Sequence, residues 1–84
     1  MTGDLGEIRL VLAGVSEQLG NAYQHAGLAR ARIADAVAVL DGLGEQHSEP
    51  LVPAELQHAA QELERGLGLI SGGVSAVADI DARL

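Results

Sequence analysis

Apolar side chains recur at alternating spacings of three and four residues along the first half of the chain. The series that starts at Leu5 comprises Leu5, Ile8, Leu12, Val15, Leu19, Ala22, Ala26, Ala29, Ile33, Ala36, Leu40 and Leu43. A 3-4 spacing sustained over so many steps is typical of a helix that packs lengthwise along another helix. We call this series the first seam. It predicts a helix over about residues 4–41, capped by Thr2 or Asp4.

A second apolar series follows a short interruption. Residues 42–52 contain two glycines, a polar run and Pro50, which are typical of a turn between helices. Beyond it we predict a helix over about residues 53–84, kinked at residues 72–73 because mid-helix glycines cost about 1 kcal/mol each. The second seam consists of Leu56, Ala60, Leu63, Leu67, Ile70, Val74 and Val77. Asp81 falls on the next step. It either sets the register, as buried polar residues do in coiled coils, or lies beyond the packed region, and we favour the second interpretation.

Two long helices joined by a short turn become antiparallel neighbours. We therefore predict an all-α, antiparallel two-helix hairpin that forms a single domain over residues 1–84. A chain of this length without cysteine buries too little apolar area to be stable alone. Leu10, Val11, Val37 and Val39 lie beside the first seam and widen its apolar face near both ends. The simplest partner is a second copy, which gives a homodimeric four-helix bundle; a similar hairpin is the other candidate.

Small residues form a stripe beside each seam at intervals of seven. The stripes consist of Gly6, Ala13, Gly20, Gly27 and Ala34, and of Ala59, Gly66 and Gly73. Small residues in register allow two helix backbones to approach closely, so we expect these stripes to face another helix. The only aromatic residue, Tyr23, is predicted to be an interface anchor, since aromatic side chains are favoured as binding hot spots.

The charge balance argues against several classes of partner. Twelve carboxylates and five arginines give a net charge of −7, which disfavours binding to nucleic acid or to an anionic membrane surface. The longest uncharged stretch, residues 66–78, is too short and too rich in glycine to span a bilayer. The first seven residues carry acids and no base, unlike a Sec signal peptide. We therefore expect a cytoplasmic protein without membrane insertion.

One motif could support chemistry. Glu55 and His58 match Glu-x-x-His, and Glu62 lies one turn further, a spacing that supplies metal ligands in some helical bundles. The alternative hypothesis is therefore a metal- or cofactor-binding bundle that uses these three residues. The first seam supplies no inward-facing carboxylate to complete such a site, and no nucleophile motif is present. We predict a protein that is not an enzyme and has no cofactor.

The overall pattern resembles the small helical hairpins of type VII secretion systems, the WxG family. It also resembles the helical N-terminal segments of actinobacterial polymorphic toxins, in which starts like residues 4–8 and ends like residues 74–84 occur. Two departures stand out: residues 41–53 lack the Trp-x-Gly turn, and Tyr23 is followed four residues later by Gly27 instead of an acid. The resemblance implies a helical dimer, with itself or with a similar hairpin, that acts as an adaptor or delivery partner. The missing motif argues against independent export, and secretion through a type VII-like route is the alternative to a cytoplasmic location.

Together the seams and Tyr23 predict a non-catalytic protein–protein interaction module. A third hypothesis is the oligomerisation domain of a larger toxin or enzyme.

Overall fold

Two long helices make up most of the chain. The computed structural model describes residues 4–84, and within them α1 spans Leu5–Gly44 and α2 spans Ala54–Arg83. These residues contain no β-strand. The all-α helical hairpin is therefore confirmed. Thr2, the other candidate cap, lies outside the described residues.

The N-terminus of α1 is capped by Asp4. Its backbone is extended, with φ −68° and ψ 165°, and its Oδ1 accepts a hydrogen bond of 2.7 Å from the backbone N–H of Glu7. The first N–H groups of a helix have no partner within the helix, so this side chain satisfies one of them. Glu7 also places a negative charge in the first turn, where it complements the helix dipole.

Replacing Asp4 with alanine removes this cap. We expect the free energy of unfolding to fall by about 1 kcal/mol, measured as a shift in urea midpoint followed by circular dichroism. Asp4→Asn is the matched control, because its amide oxygen can accept the same hydrogen bond. An equal loss in both variants would assign the effect to the negative charge instead of the hydrogen bond.

The first helix continues three residues beyond its predicted end at Asp41. Gly42 and Gly44 are both helical, and the helix ends where the N–H of Glu45 bonds to the carbonyl of Asp41 at 3.2 Å. The connection then folds back, so that a Cβ on Gly44 would lie 3.6 Å from the backbone nitrogen of Leu51. This close approach leaves Leu51 and its neighbour Val52 half-buried beneath the end of the hairpin.

The second helix begins one residue after its predicted start. Pro53 is its N-cap and is extended, with ψ 142°, and its carbonyl accepts the first helical bond from Leu56. Glu55 lies in the first turn and Arg83 in the last, so both charges complement the helix dipole. The helix continues through Gly72 and Gly73 to Arg83. The kink at these glycines stays a prediction.

The two helices run antiparallel along most of their length. Arg9 forms an ion pair with Asp81 at 3.7 Å, and Arg30 forms one with Glu64 at 3.8 Å. The interpretation that Asp81 lies beyond the packed region is therefore wrong: its carboxylate faces Arg9 across the helix pair.

The resulting rod measures 69 × 15 × 15 Å, with a radius of gyration of 19.4 Å. A compact chain of this length would have a radius of gyration of about 12 Å.

Candidate interaction surface

The hairpin has an interhelical contact but hardly any core. Among residues 4–84, Leu67 is the only buried residue, and it is 9% exposed. All other apolar side chains in this part of the chain keep substantial contact with solvent. Two parallel cylinders touch along one line only, so each can cover just a narrow strip of the other.

The exposed area is far larger than that of a compact protein. The chain exposes 6290 Å², whereas a compact monomer of 8.6 kDa exposes about 4,700 Å². The excess is therefore roughly 1,600 Å². A standard protein–protein interface removes about 800 Å² from each partner. The surplus is thus large enough for one or two such interfaces.

Half of the first seam lies against α2. Its half-buried members are Leu12, Leu19, Ala26, Ala29, Ile33 and Leu40, whereas its exposed members are Leu5, Ile8, Val15, Ala22, Ala36 and Leu43. In addition, α2 half-buries Ser16 and Val37, which follow seam residues by one position. It is therefore displaced toward one side of the seam. Ser16 is small on that side, so α2 can approach there.

The second seam is covered more completely. Leu67 is buried, Val74 is exposed, and the other members are half-buried, namely Leu56, Ala60, Leu63, Ile70 and Val77. This helix turns a single consistent face toward α1. The difference arises because the apolar face of α1 is wider than one helix can cover.

The two small-residue stripes have different surroundings. Those of α2, Ala59, Gly66 and Gly73, are half-buried, and a Cβ on Gly73 would lie 4.0 Å from a methyl carbon of Leu19. On α1, Gly27 is half-buried and the rest of the described stripe is exposed. A Cβ on Gly20 or Gly27 would meet nothing within 4 Å. The stripe on α1 therefore does not face α2 closely.

One long side of the hairpin carries both ion pairs between α1 and α2 in the described chain, and we call it the polar flank. Arg9–Asp81 and Arg30–Glu64 lie along it, with side chains at least half exposed. Pairs so exposed contribute little stability, typically about 0–1 kcal/mol. Tyr23 lies on the same side and is exposed, so the hairpin alone does not bury the predicted anchor. The open groove around it is lined by Gly20, Tyr23, Gln24, Ser71 and Val74.

The opposite long side is different in character, and we call it the neutral flank. Heptad spacing places on it the residues beside the α1–α2 contact that point away from the ion pairs. They are Ile8, Val11, Val15, Gln18, Ala22, His25, Ala29, Arg32, Ala36, Val39 and Leu43 of α1, with Glu55, Ala59, Glu62, Gly66, Leu69, Gly73, Ala76, Ile80 and Arg83 of α2. No ion pair joins the two helices on this side within residues 4–84.

Most of the exposed large apolar side chains lie on the neutral flank. They are Ile8, Val11, Val15, Val39, Leu43, Leu69 and Ile80. At one end of the flank, Glu7, Ile8, Val11 and Leu12 line an open, mainly apolar groove. Contiguous apolar surface on a soluble protein commonly marks an interaction site.

The residues considered for metal chemistry remain separate and solvated. Glu55, His58 and Glu62 are all exposed, and within residues 4–84 no three histidine or carboxylate side chains group in a way that could hold a metal ion. Glu62 instead pairs with Arg65 one turn later, at 3.8 Å. The described residues also contain no buried polar or charged residue. Nothing in this geometry brings reactive groups together.

The comparisons with known proteins do not assign the chain to a family. It matches no protein-family model, no curated protein and no solved structure. The resemblance to type VII secretion hairpins and toxin segments therefore stays a prediction. Neither α1 nor α2 contains a stretch that is long and apolar enough to span a lipid bilayer.

Sequence reasoning missed several half-buried residues. Ser16 and Gly44 lie against α2 or the connection, and Leu51 and Val52 lie in the connection itself. The sequence does contain a signal for the half-buried residues of α1, because a second heptad series lies one position after every other member of the first seam. Its polar and small members hide it from a search for apolar residues alone.

Proposed function

We propose that this chain is a non-catalytic helical interaction module that associates with a second copy of itself to form a four-helix bundle. The observation that carries the proposal is the surface excess: within residues 4–84 the hairpin buries one residue, and the chain exposes roughly 1,600 Å² more than a compact protein of its mass. The apolar part of this area is stabilised by removal from water at about 25 cal/mol per Å².

The simplest partner that could cover the exposed apolar surface is a second copy of the chain. Two hairpins packed side by side turn four helix faces inward, which is the geometry of four-helix bundles with heptad seams. The exposed half of the first seam then joins the covered half in one core. A similar hairpin from another chain would use the same surface and is the alternative partner. Adaptor or delivery roles, cytoplasmic location and type VII-like export remain predictions from the sequence.

The direct test is the mass of the wild-type protein in solution. We expect multi-angle light scattering and sedimentation equilibrium at tens of micromolar to give about twice 8.6 kDa, with a strongly helical circular dichroism spectrum. A cooperative, fully helical monomer under the same conditions would contradict self-association. An unfolded monomer that becomes helical only with another protein would assign the surface to a different partner.

A further inference from the structure

We propose that the neutral flank is the face through which two copies of this chain associate. This inference rests on the self-association proposed above and adds which of the two long sides is used. The polar flank and the neutral flank both border the α1–α2 contact. They differ in apolar content and in whether ion pairs between α1 and α2 already occupy their charged residues.

Apolar content favours the neutral flank. It carries Val11 and Val39 near the two ends of α1, and Leu69 and Ile80 on α2, all of them exposed. The polar flank offers Tyr23 and Val74 instead, between arginines engaged in ion pairs. Burial of the polar flank would desolvate those pairs. Burial of the neutral flank removes more hydrocarbon from water, and its charged residues Arg32, Arg83, Glu55 and Glu62 must be paired across the interface or remain at its rim.

Charge distribution points to a second copy as the occupant. The charged residues on the helical rows of the neutral flank are Arg32, Arg83, Glu55 and Glu62, whose charges cancel, and Glu7 adds a negative charge at the end of the flank. The ion-paired residues of the polar flank cancel as well, so most of the net charge of −7 lies on the outer surfaces. Two copies of an acidic protein repel each other across those outer surfaces. Along a flank two identical faces can meet with little net like charge, so the charge balance favours a second copy and the apolar content selects the neutral flank. A basic partner would instead be drawn to the acidic outer surfaces.

The dimensions of the flank also suit a dimer. The long side of the rod measures 69 by 15 Å, a footprint of roughly 1,000 Å², close to the ~800 Å² per partner of a standard interface. An interface of that size accounts for more than half of the excess exposed area. In the row of the flank nearer to α2, the alanines Ala22, Ala29 and Ala36 occupy the middle of α1. Small residues there allow two rods to approach closely.

Charge placed on the flank should dissociate the dimer. The test variant is the double substitution Val11→Glu and Leu69→Glu, and its control is Leu10→Glu with Leu28→Glu on the outer face of α1. Val11 and Leu69 are 62% and 68% exposed, and Leu10 and Leu28 are 76% and 51% exposed, so the two variants change positions of similar mean exposure in the single hairpin. We expect sedimentation to show a dissociation constant at least roughly a hundredfold higher for the flank variant and within about threefold of wild type for the control.

The outcomes separate the two proposals. If the wild type is a folded monomer, self-association and this inference both fail. If the wild type is a dimer that the flank variant leaves intact, the flank assignment is overturned and self-association stands. Dissociation by the control pair and not by the flank pair would likewise overturn it and place the interface on the outer face of α1.

A labelling experiment avoids dependence on variants that dissociate or unfold. The described chain has no cysteine, so a single introduced thiol reports on one position. Val39 on the flank is 63% exposed and Leu28 on the outer face is 51% exposed. In a free hairpin, Val39→Cys would react with maleimide at least as fast as Leu28→Cys. We expect it to react at least roughly tenfold more slowly at dimer-forming concentrations, and equal rates would overturn the assignment.

Discussion

Leu67→Asp is expected to abolish the helical structure of this protein. Leu67 is the only buried residue in the part of the chain that the structure describes, and it lies in the middle of the contact between α1 and α2. A carboxylate moved from water into that apolar contact without a partner costs several kcal/mol. A chain of this size has only a few kcal/mol of stability in total. Circular dichroism at 222 nm should therefore fall to the level of an unfolded chain.

Two controls make this expectation specific to burial. Leu10→Asp adds the same charge to an exposed position on α1 and should leave the helical signal within about a tenth of wild type. Leu67→Met keeps the apolar volume and should cost less than about 1.5 kcal/mol. If Leu67→Asp remained as helical as wild type, the packing of α1 against α2 would not be what holds the hairpin together.

The helices follow from the sequence because their signals are local and repeated. Asp4 has a short carboxylate at the right position to cap α1, and the heptad spacing persists without interruption from Leu5 to Leu43. Boundaries are less certain because glycine is tolerated near a helix end: Gly42 and Gly44 remain helical, so α1 extends beyond its predicted end. The cost of about 1 kcal/mol per glycine is small compared with the contacts of a continued helix.

The side of α1 on which α2 lies could not be predicted in the same way. Rows such as Leu12–Leu19 and Val15–Ala22 differ by less than one third of a turn, and both are apolar. Which row of α1 faces α2 depends on the side chains of both helices. Small residues beside the seam allow a close approach, and ion pairs such as Arg9–Asp81 join the two helices. Asp81 is an example. It interrupts the apolar second seam in the sequence, but it forms an ion pair with Arg9 when α1 and α2 pack together.

The interaction surface is hardest to predict because it is defined by what the hairpin leaves uncovered. Val11, Val39 and Leu69 appear in the sequence as scattered apolar residues off the seams. Their shared side becomes evident only when the relative position of the helices is known. The balance of opposite charges on that side is equally invisible in the total of −7.

Dilution of the wild-type protein is expected to unfold it. If the exposed half of the first seam must be covered for stability, folding and association are coupled. Dilution then shifts the equilibrium from the folded dimer toward the unfolded monomer. Each tenfold dilution then weakens the dimer by about 1.4 kcal/mol. For a dimer of two such chains this corresponds to a fall in melting temperature of about 4 °C per tenfold dilution. Thermal melts followed by circular dichroism from about 1 to 100 µM measure it directly.

A tethered dimer provides the matched control for this prediction. Two copies joined by a flexible Gly/Ser linker from Leu84 of one to the start of the next hold the partner at a fixed effective concentration, in the millimolar range for a short linker. The melting temperature of the tethered protein should be higher than that of the separate chains and should not change with dilution. Wild-type melts that superimpose across a hundredfold range of concentration would show that one hairpin is stable alone. The exposed residues of the first seam would then need no partner for folding, because the strip between α1 and α2 around Leu67 would suffice.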